Sequence, residues 1–325
     1  MKTALALPAK RDQRWDLAAQ AGVDQAVVHP HMSDVDNGRR GDTPWSYDDL
    51  QRLQNAYEQT GLRLGVIEGG TPLTDTTRLG LDGRDEELDR FCEFVRTMGA
   101  LDIPVLCYSW MTHFWWLRTT DTYPTRGDAW TTAYDHDQMQ RGPRPDIPDV
   151  TEADLWDSLE YFLDRVVPVA EDAGVRLSMH PDDPPLSPIR GVPRIMTSVD
   201  AYDRLLDLYP SEANSVNFCQ GNFAAMGEDV PAAIRHFGDD ISFVHFRDVE
   251  GTTEQFVEVW QDDGPTDMHA CVEAYRDIGF DGPARPDHVP TMAGEKQDTA
   301  GYETKGRLFA IGYMTGLIES VGPWE

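Results

Sequence analysis

The chain has 325 residues, 40% of them hydrophobic and 26% charged, and its formal net charge at pH 7 is −29. This composition suffices for one large buried core, and no shift in composition marks a second domain. The sequence has no basic patch for nucleic-acid phosphates and no apolar run near the roughly 20 residues of a membrane span. We therefore expect one domain over residues 1–325 that binds neither nucleic acid nor a membrane.

The strong negative charge indicates the surroundings in which the protein works. The acidic residues are spread between apolar segments, and their mutual repulsion would destabilise the compact state at low salt. At molar salt the screening length falls to about 3 Å, which removes most of this repulsion. The four cysteines show no Cys-x-x-Cys spacing, and no signal peptide is recognisable. We expect free thiols in the cytoplasm of a halophilic organism.

Short apolar runs alternate with amphipathic segments along the whole chain. The predicted strands cover residues 3–7, 25–29, 62–67, 103–108, 175–179, 215–219, 241–245 and 283–287. The predicted helices cover 14–21, 46–61, 84–98, 151–174, 199–208, 229–237, 267–278 and 304–319. Eight strands that alternate with eight helices predict an α/β protein with a (β/α)₈ or TIM barrel. A doubly wound sheet is the alternative, but no Gly-x-Gly-x-x-Gly motif follows the first strand.

The segment from about residue 109 to 150 differs from the rest of this pattern. It reads as a long irregular insertion, and its aromatic residues are Trp110, Phe114, Trp115, Trp116, Tyr123, Trp130 and Tyr134. Loops of this length in a compact domain are usually functional or disordered, and so much aromatic surface does not suit disorder. We expect a lid over a site or a contact between the subunits of a homo-oligomer.

Four predicted strands in the second half of the chain end at side chains that can ligate a metal. These are His180, Cys219, His245 and Asp287. The carboxyl ends of barrel strands carry the functional loops, and neighbouring strands lie about 4.8 Å apart, so the four groups can converge. Imidazole, thiolate and carboxylate together suit Mn²⁺, Fe²⁺, Co²⁺ or Zn²⁺ better than Mg²⁺ or Ca²⁺. Each residue also has an ordinary interpretation, such as a small buried thiol, a core histidine or a turn-forming aspartate.

The motifs around these residues resemble those of one enzyme family. The matching runs are Met179-His-Pro-Asp-Asp-Pro-Pro185, Gly191-Val-Pro-Arg-Ile195, Phe218-Cys-Gln-Gly221, Phe243-Val-His-Phe-Arg-Asp-Val249, Asp267-Met268 and Arg285-Pro-Asp-His288. In this order they resemble the UxuA-type mannonate dehydratases, and weaker likeness at Gln20-Ala-Gly-Val23 and Cys107-Tyr-Ser-Trp-Met111 extends the resemblance over nearly the whole chain. It implies a barrel of the xylose-isomerase type that dehydrates D-mannonate, or a closely related aldonate, to 2-keto-3-deoxy-D-gluconate.

The resemblance also implies roles for individual residues. It makes His180, Cys219, His245 and Asp287 the ligands of one Mn²⁺ or Fe²⁺ per chain. His288 and Tyr302 fall where the family has its proposed acid and base, and the sequence leaves open which is which. Four arginines near the motifs could hold the carboxylate of a sugar-acid substrate, although each could equally form a structural ion pair. These are Arg190, Arg194, Arg247 and Arg285.

The chain departs from the family pattern in several loops. The departures are His29-Pro-His-Met32 after the second strand, Ser109-Trp-Met-Thr112 and Trp115-Trp-Leu-Arg118 after the fourth, and Val289-Pro290 after His288. These loops would contact the far end of the sugar, so the choice of aldonate stays open. Two alternatives remain at this point: a metal-dependent sugar isomerase or epimerase on the same barrel, and a metal-binding or sugar-binding barrel without turnover. A barrel without turnover would leave His288 and Tyr302 without a catalytic role.

Overall fold

A computed structural model describes residues 1–28 and 46–324 of the chain. Its strands are β1 (Lys2–Leu7), β2 (Gln25–Val28), β3 (Arg63–Glu68), β4 (Val105–Ser109), β5 (Thr120–Pro124), β6 (Trp130–Asp135), β7 (Arg176–His180), β8 (Asn214–Cys219), β9 (Ile241–Phe246), β10 (Val249–Thr252), β11 (Gln255–Glu258) and β12 (Pro283–Pro286). The sequence motif that begins at His29 lies outside the described residues.

Eight of these strands close into a parallel barrel. Around the barrel the order is β1, β2, β3, β4, β7, β8, β9 and β12, which pairs again with β1. Side chains alternate between its two surfaces, as a strand requires: Ala4 packs in the cluster inside the barrel, whereas Leu5 and Leu7 pack under the surrounding helices. The predicted (β/α)₈ barrel is therefore confirmed.

Helices connect the barrel strands and cover them from outside. They are α1 (Gln13–Gln20), α2 (Tyr47–Glu58), α3 (Asp75–Arg78), α4 (Arg84–Ala100), α5 (His136–Met139), α6 (Glu152–Ala173), α7 (Val199–Leu208), α8 (Gln220–Ala225), α9 (Val230–Phe237), α10 (Met268–Asp277) and α11 (Thr304–Ser320). No helix within the described ranges is both long enough and apolar enough to span a membrane.

The helix ends determine where the following strands begin. Thr151 and Asp154 form a reciprocal capping box at the start of α6, and Gly174 ends that helix in a left-handed conformation with φ of 65°. The strand β7 follows almost at once and runs to His180. A local sequence signal thus places the first candidate metal ligand at the barrel mouth.

The expectation of an irregular segment from 109 to 150 was wrong in part. Its strands β5 and β6 join β10 and β11 in an antiparallel sheet of order β10-β11-β6-β5, which we call the outer sheet. Tyr134 of β6 stacks on Phe256 of β11, with ring centroids 5.7 Å apart. A strand needs a partner, and the partner of β6 comes from a distant part of the sequence. No local pattern in the segment could therefore reveal the pairing.

Candidate active site

The barrel strands bring the four candidate metal ligands together at their carboxyl ends. His180 and Cys219 end β7 and β8, His245 is the penultimate residue of β9, and Asp287 directly follows β12. One ligand atom from each residue lies within 4.8 Å of those from the other three. His180 is half-buried and the others are buried. The convergence predicted from the strand ends is present in the fold.

The two histidines can each turn a ring nitrogen toward a metal. Nδ1 of His180 lies 2.6 Å from the carbonyl oxygen of Pro181, which can only accept, so this nitrogen carries the hydrogen and Nε2 is left bare. Nδ1 of His245 is buried and makes no hydrogen bond, although Oδ2 of Asp287 lies 3.4 Å from it. Buried polar atoms normally have partners, and a divalent cation would satisfy this one. The donor set and the unpaired nitrogen both fit a divalent metal.

Charges within the site are strongly coupled. Burial would raise the pKa of Asp287, but Arg285, His288 and His245 hold it well below its usual range. Burial lowers the pKa of His180, so its ring is neutral near pH 7. For His245, burial and Arg285 lower the pKa, but the carboxylates of Glu68 and Asp287 outweigh them and raise it to about 9. An ionised Asp287 and a neutral His180 are in the forms that bind cations, whereas His245 would release a proton when it binds one.

Asp287 is also held by contacts beyond the metal ligands. Its Oδ1 accepts hydrogen bonds from Nη1 of Arg285 at 2.8 Å and from the phenol of Tyr302 at 2.9 Å. Burial and the neighbouring Asp287 raise the pKa of Tyr302 well above its usual value, so the phenol keeps its hydrogen. Tyr302 therefore lies next to a candidate ligand, as a proton donor.

His288 adjoins Asp287 in sequence and presents its two ring nitrogens to different surroundings. Nδ1 lies 2.9 Å from Oε1 of Glu258, 3.0 Å from Nη2 of Arg118 and 3.1 Å from Nη1 of Arg247. Nε2 makes no hydrogen bond to any described residue, and Oδ1 of Asp287 lies 3.8 Å from it. Nε2 is thus the nitrogen available for chemistry.

Aromatic rings cover the same residues. The ring centroid of Trp116 lies 5.0 Å from that of His288 and 6.4 Å from that of Tyr302, and Trp116 is 37% exposed. Trp116 belongs to the segment that the sequence analysis expected to act as a lid or a subunit contact. Its ring forms one wall over the candidate acid and base.

The side chains of Arg118, Asp183, Arg247 and Glu258 form a buried group that we call the charged cluster. Asp183 accepts from Nη1 of Arg118 at 2.7 Å and from Nη2 of Arg247 at 2.9 Å, and Oε1 of Glu258 accepts from both arginines. Burial would raise the pKa values of Asp183 and Glu258, but the two guanidinium groups hold both well below the usual range. The cluster is fully ionised at neutral pH.

Within the charged cluster, sequence reasoning gave a role to Arg247 alone, as a candidate for holding the substrate carboxylate. Asp183 lies in the His-Pro-Asp-Asp-Pro-Pro motif and Arg118 in a loop noted for departing from the family, so both were visible but carried no assigned function. Glu258 ends β11, a strand that the apolar pattern did not indicate. The outer sheet is what brings Glu258 to His288, and the long-range pairing of that sheet was the missing information.

The four arginines predicted to hold the substrate carboxylate have different surroundings. Arg194 donates to Asp182 and to two backbone carbonyls, and Arg285 donates to Glu68 and Asp287. Four of the five N–H groups of Arg247 donate to protein acceptors, and its Nη1 also lies 3.1 Å from Nδ1 of His288. Arg190 forms no ion pair within residues 1–28 and 46–324, and its guanidinium lies 4.2 Å from the ring centroid of Phe114. The substrate role of all four stays a prediction.

Comparisons with known proteins point to one enzyme family. The family model described as D-mannonate dehydratase (UxuA) matches residues 11–147 and 144–324. A mannonate dehydratase of Oceanobacillus iheyensis is 34% identical over 309 residues, which cover 85% of this chain and 86% of that protein. The crystal structure of mannonate dehydratase from Streptococcus suis serotype 2 superposes with a TM-score of 0.87 at 30% identity and covers 99% of this chain and 93% of that one.

A more distant structure shows the type of barrel. The xylose isomerase domain protein from Planctomyces limnophilus has a TM-score of 0.61 at 15% identity, and the match covers 98% of this chain and 97% of that one. At this identity the likeness concerns the fold alone. The predicted barrel of the xylose-isomerase type is confirmed.

Proposed function

Since the chain belongs to the D-mannonate dehydratase (UxuA) family, we propose that it removes water from D-mannonate, or a closely related aldonate, to give 2-keto-3-deoxy-D-gluconate. It is a hydro-lyase. The observation that carries the proposal is the convergence of His180, Cys219, His245 and Asp287 directly beside His288 and Tyr302. One site then contains both a set of cation ligands and two groups that can move protons.

We infer that the four ligands hold one divalent cation per chain, Mn²⁺ or Fe²⁺. Two imidazoles, a thiol and a carboxylate form the mixed donor set that borderline transition metals prefer. When bound, such an ion acts as a Lewis acid that withdraws charge from the carboxylate and 2-hydroxyl of the substrate, so the hydrogen on C2 becomes more acidic. The contacts of Asp287 with Arg285 and Tyr302, and of His180 with Pro181, orient these ligands.

His288 and Tyr302 are the proton carriers of the proposed reaction. Nε2 of His288 is bare when Nδ1 donates to Glu258, so His288 suits removal of the C2 proton. The electron pair of that C–H bond forms the C2=C3 double bond while the C3–O bond breaks. Tyr302, which keeps its hydrogen, suits protonation of the departing hydroxyl, and water leaves. The enol then gains a proton at C3 and loses the one on its 2-hydroxyl, which gives the 2-keto-3-deoxy acid.

The arginines divide in this proposal according to their present partners. Arg194, Arg247 and Arg285 would have to release a protein carboxylate or carbonyl to bind the substrate carboxylate through those N–H groups. Nε is buried without a partner in both Arg190 and Arg194, but of the four arginines only Arg190 has no carboxylate to release in the described part of the chain. Of the four arginines, Arg190 could therefore bind the substrate carboxylate without breaking an ion pair.

The wider setting of the enzyme is also proposed. A halophilic cytoplasm follows from the charge of −29 and the absence of paired cysteine spacing. A homo-oligomer is supported by exposed aromatic side chains on the outer sheet, where Tyr123 is 44% and Trp130 48% exposed. Both proposals are independent of the reaction at the barrel mouth.

The decisive experiment is a turnover assay over a panel of aldonates. Purified protein is loaded with Mn²⁺ or Fe²⁺ in molar salt, and the products are assayed for 2-keto-3-deoxy acids. D-Mannonate or a close relative should yield such a product, and removal of the metal with a chelator should abolish it. A panel that gives no 2-keto-3-deoxy acid would contradict the proposal. An epimer or a ketose as the product would instead favour the isomerase or epimerase alternative.

A further inference from the structure

Two segments outside the barrel meet at one ring nitrogen of His288. Arg118 comes from the segment between β4 and β5, and Glu258 is the last residue of β11 in the outer sheet. The side chains of both are almost entirely buried, at 3% and 0% exposure. The barrel itself could therefore place His288 and Arg247 without these segments, but it could not supply Arg118 or Glu258 at Nδ1.

Of the groups that touch Nδ1, Glu258 differs in kind from the other two. Guanidinium groups of Arg118 and Arg247 can only donate hydrogen bonds, whereas the Glu258 carboxylate can accept one from Nδ1–H. Oε1 of Glu258 also accepts a hydrogen bond from each of the two arginines. This one oxygen therefore contacts Arg118, Arg247 and the ring of His288. Loss of this carboxylate would remove a direct contact with the ring and the link between the arginines.

The backbone of His288 also depends on its surroundings. Its φ is 38°, in the left-handed region that residues other than glycine seldom adopt. Such a conformation persists only where neighbouring contacts hold it. Two contacts hold the backbone here: Nε2 of Gln261 donates to the carbonyl of His288, and the amide of Val289 donates to the carbonyl of Gly301. The ring itself is held by the contacts at Nδ1.

We propose that Glu258 is a positioning residue for His288. It holds the Nδ1 edge of the ring against the charged cluster and so keeps Nε2 directed toward the reacting carbon. This inference rests on the proposed dehydration, because it assumes that His288 exchanges a proton with the substrate. It assigns a catalytic task to the outer sheet, which delivers Glu258.

The test is a double-mutant cycle on the metal-loaded protein. We expect Glu258→Gln to lower kcat by about 10- to 100-fold while KM and metal content change little, because a displaced ring reacts poorly but the substrate still binds. In a His288→Asn background the same change should lower kcat by less than about threefold, since the ring to be positioned is gone. An equal loss in both backgrounds would overturn the proposal.

Asp183→Asn is the matched control. Asp183 pairs with the same two arginines, yet among the described residues it forms no hydrogen bond with His288. Its effect on kcat should therefore be the same with and without His288, and coupling as strong as that of Glu258 would contradict a specific role for Glu258. If Glu258→Gln does not fold, Glu258→Asp takes its place in the cycle, because it keeps the charge and shortens the reach to Nδ1.

Wild-type turnover separates this inference from the proposed function. A wild-type protein that forms no 2-keto-3-deoxy acid contradicts the proposed function, and the inference fails with it. A wild-type protein that turns over, combined with an additive cycle for Glu258 and His288, contradicts the inference alone.

Discussion

The candidate metal ligands and the charged cluster lie side by side but are built in different ways. The ligands come from four neighbouring barrel strands, and each occupies the carboxyl end of its strand. The charged cluster combines Asp183 and Arg247 from barrel loops with Arg118 and Glu258 from the segments that form or flank the outer sheet. The position of the candidate metal ligands thus depends on the barrel, whereas the surroundings of His288 depend on structure added to the barrel. Mutations in the two regions should therefore impair different properties of the protein, namely metal content and kcat.

The largest effect should follow removal of a metal ligand. Asp287→Asn or Cys219→Ala leaves a gap in the coordination, and since even second-shell changes typically cost about 10- to 100-fold in affinity, metal and activity should be lost together. Metal content by elemental analysis and turnover on the same preparation provide the measurement. Cys271→Ala, at a buried cysteine of α10, is the matched control and should keep its metal. If the Cys219→Ala protein keeps its full metal content, Cys219 is not a metal ligand.

Substitution of His288 should separate the two regions. We expect His288→Asn to lower kcat by about 10²- to 10⁴-fold with metal content near that of wild type, because the side chain acts on protons and does not ligate the cation. His236→Asn, at an exposed histidine of α9, is the control and should leave both values unchanged. If the His288 variant also lost its metal, the candidate metal ligands and the charged cluster would not be functionally separate.

Tyr302 contacts the metal region through Asp287 and the proton-transfer region through His288. If its phenol protonates the departing hydroxyl, Tyr302→Phe should lower kcat by about 10²-fold, because the ring stays and only the transferable hydrogen is lost. Tyr202→Phe serves as control, since that hydroxyl donates to the carbonyl of Met179 in the packed core. If kcat of the Tyr302→Phe enzyme lies within about threefold of the wild-type value, Tyr302 acts only in packing.

Acid should act on the charged cluster through its two carboxylates. Arg118 and Arg247 hold the folded-state pKa values of Asp183 and Glu258 below their ordinary values of 3.8 and 4.5, so the stabilising contribution of these carboxylates is complete above the ordinary values. It is lost as pH falls through the lower, folded-state values. The unfolding free energy should therefore decrease below about pH 4.5, and the decrease should be shallower in Glu258→Gln. Denaturant titrations at several pH values would measure it, and identical slopes for both proteins would contradict this role of Glu258.

The smallest effect on the site should come from salt. Dilution from molar salt to about 0.01 M lengthens the screening distance from roughly 3 to 30 Å, so the exposed carboxylates behind the charge of −29 repel one another and Tm should fall. Buried charges are screened much less, so metal content should change little before unfolding. Differential scanning calorimetry over a salt series measures the first quantity. A Tm that does not depend on salt would remove the argument for a halophilic protein.

The convergence of the four candidate metal ligands was predictable because each depends on a local signal. An apolar run that stops at His180, Cys219, His245 or Asp287 indicates both a strand and the place where it ends. Parallel alternation then implies that neighbouring strand ends share one rim of the barrel. No pairwise contact had to be known for the four residues to be grouped.

Long-range pairing, by contrast, decided the surroundings of His288. Glu258 reaches Nδ1 because β11 pairs with β6, and Arg118 reaches it because the chain that carries it enters the same sheet. Pairing between distant strands depends on which side chains meet across them, and no periodicity within either segment records it. The sequence alone therefore determined the barrel and its candidate metal ligands, whereas only the tertiary structure decided which charges surround His288, the candidate for proton transfer.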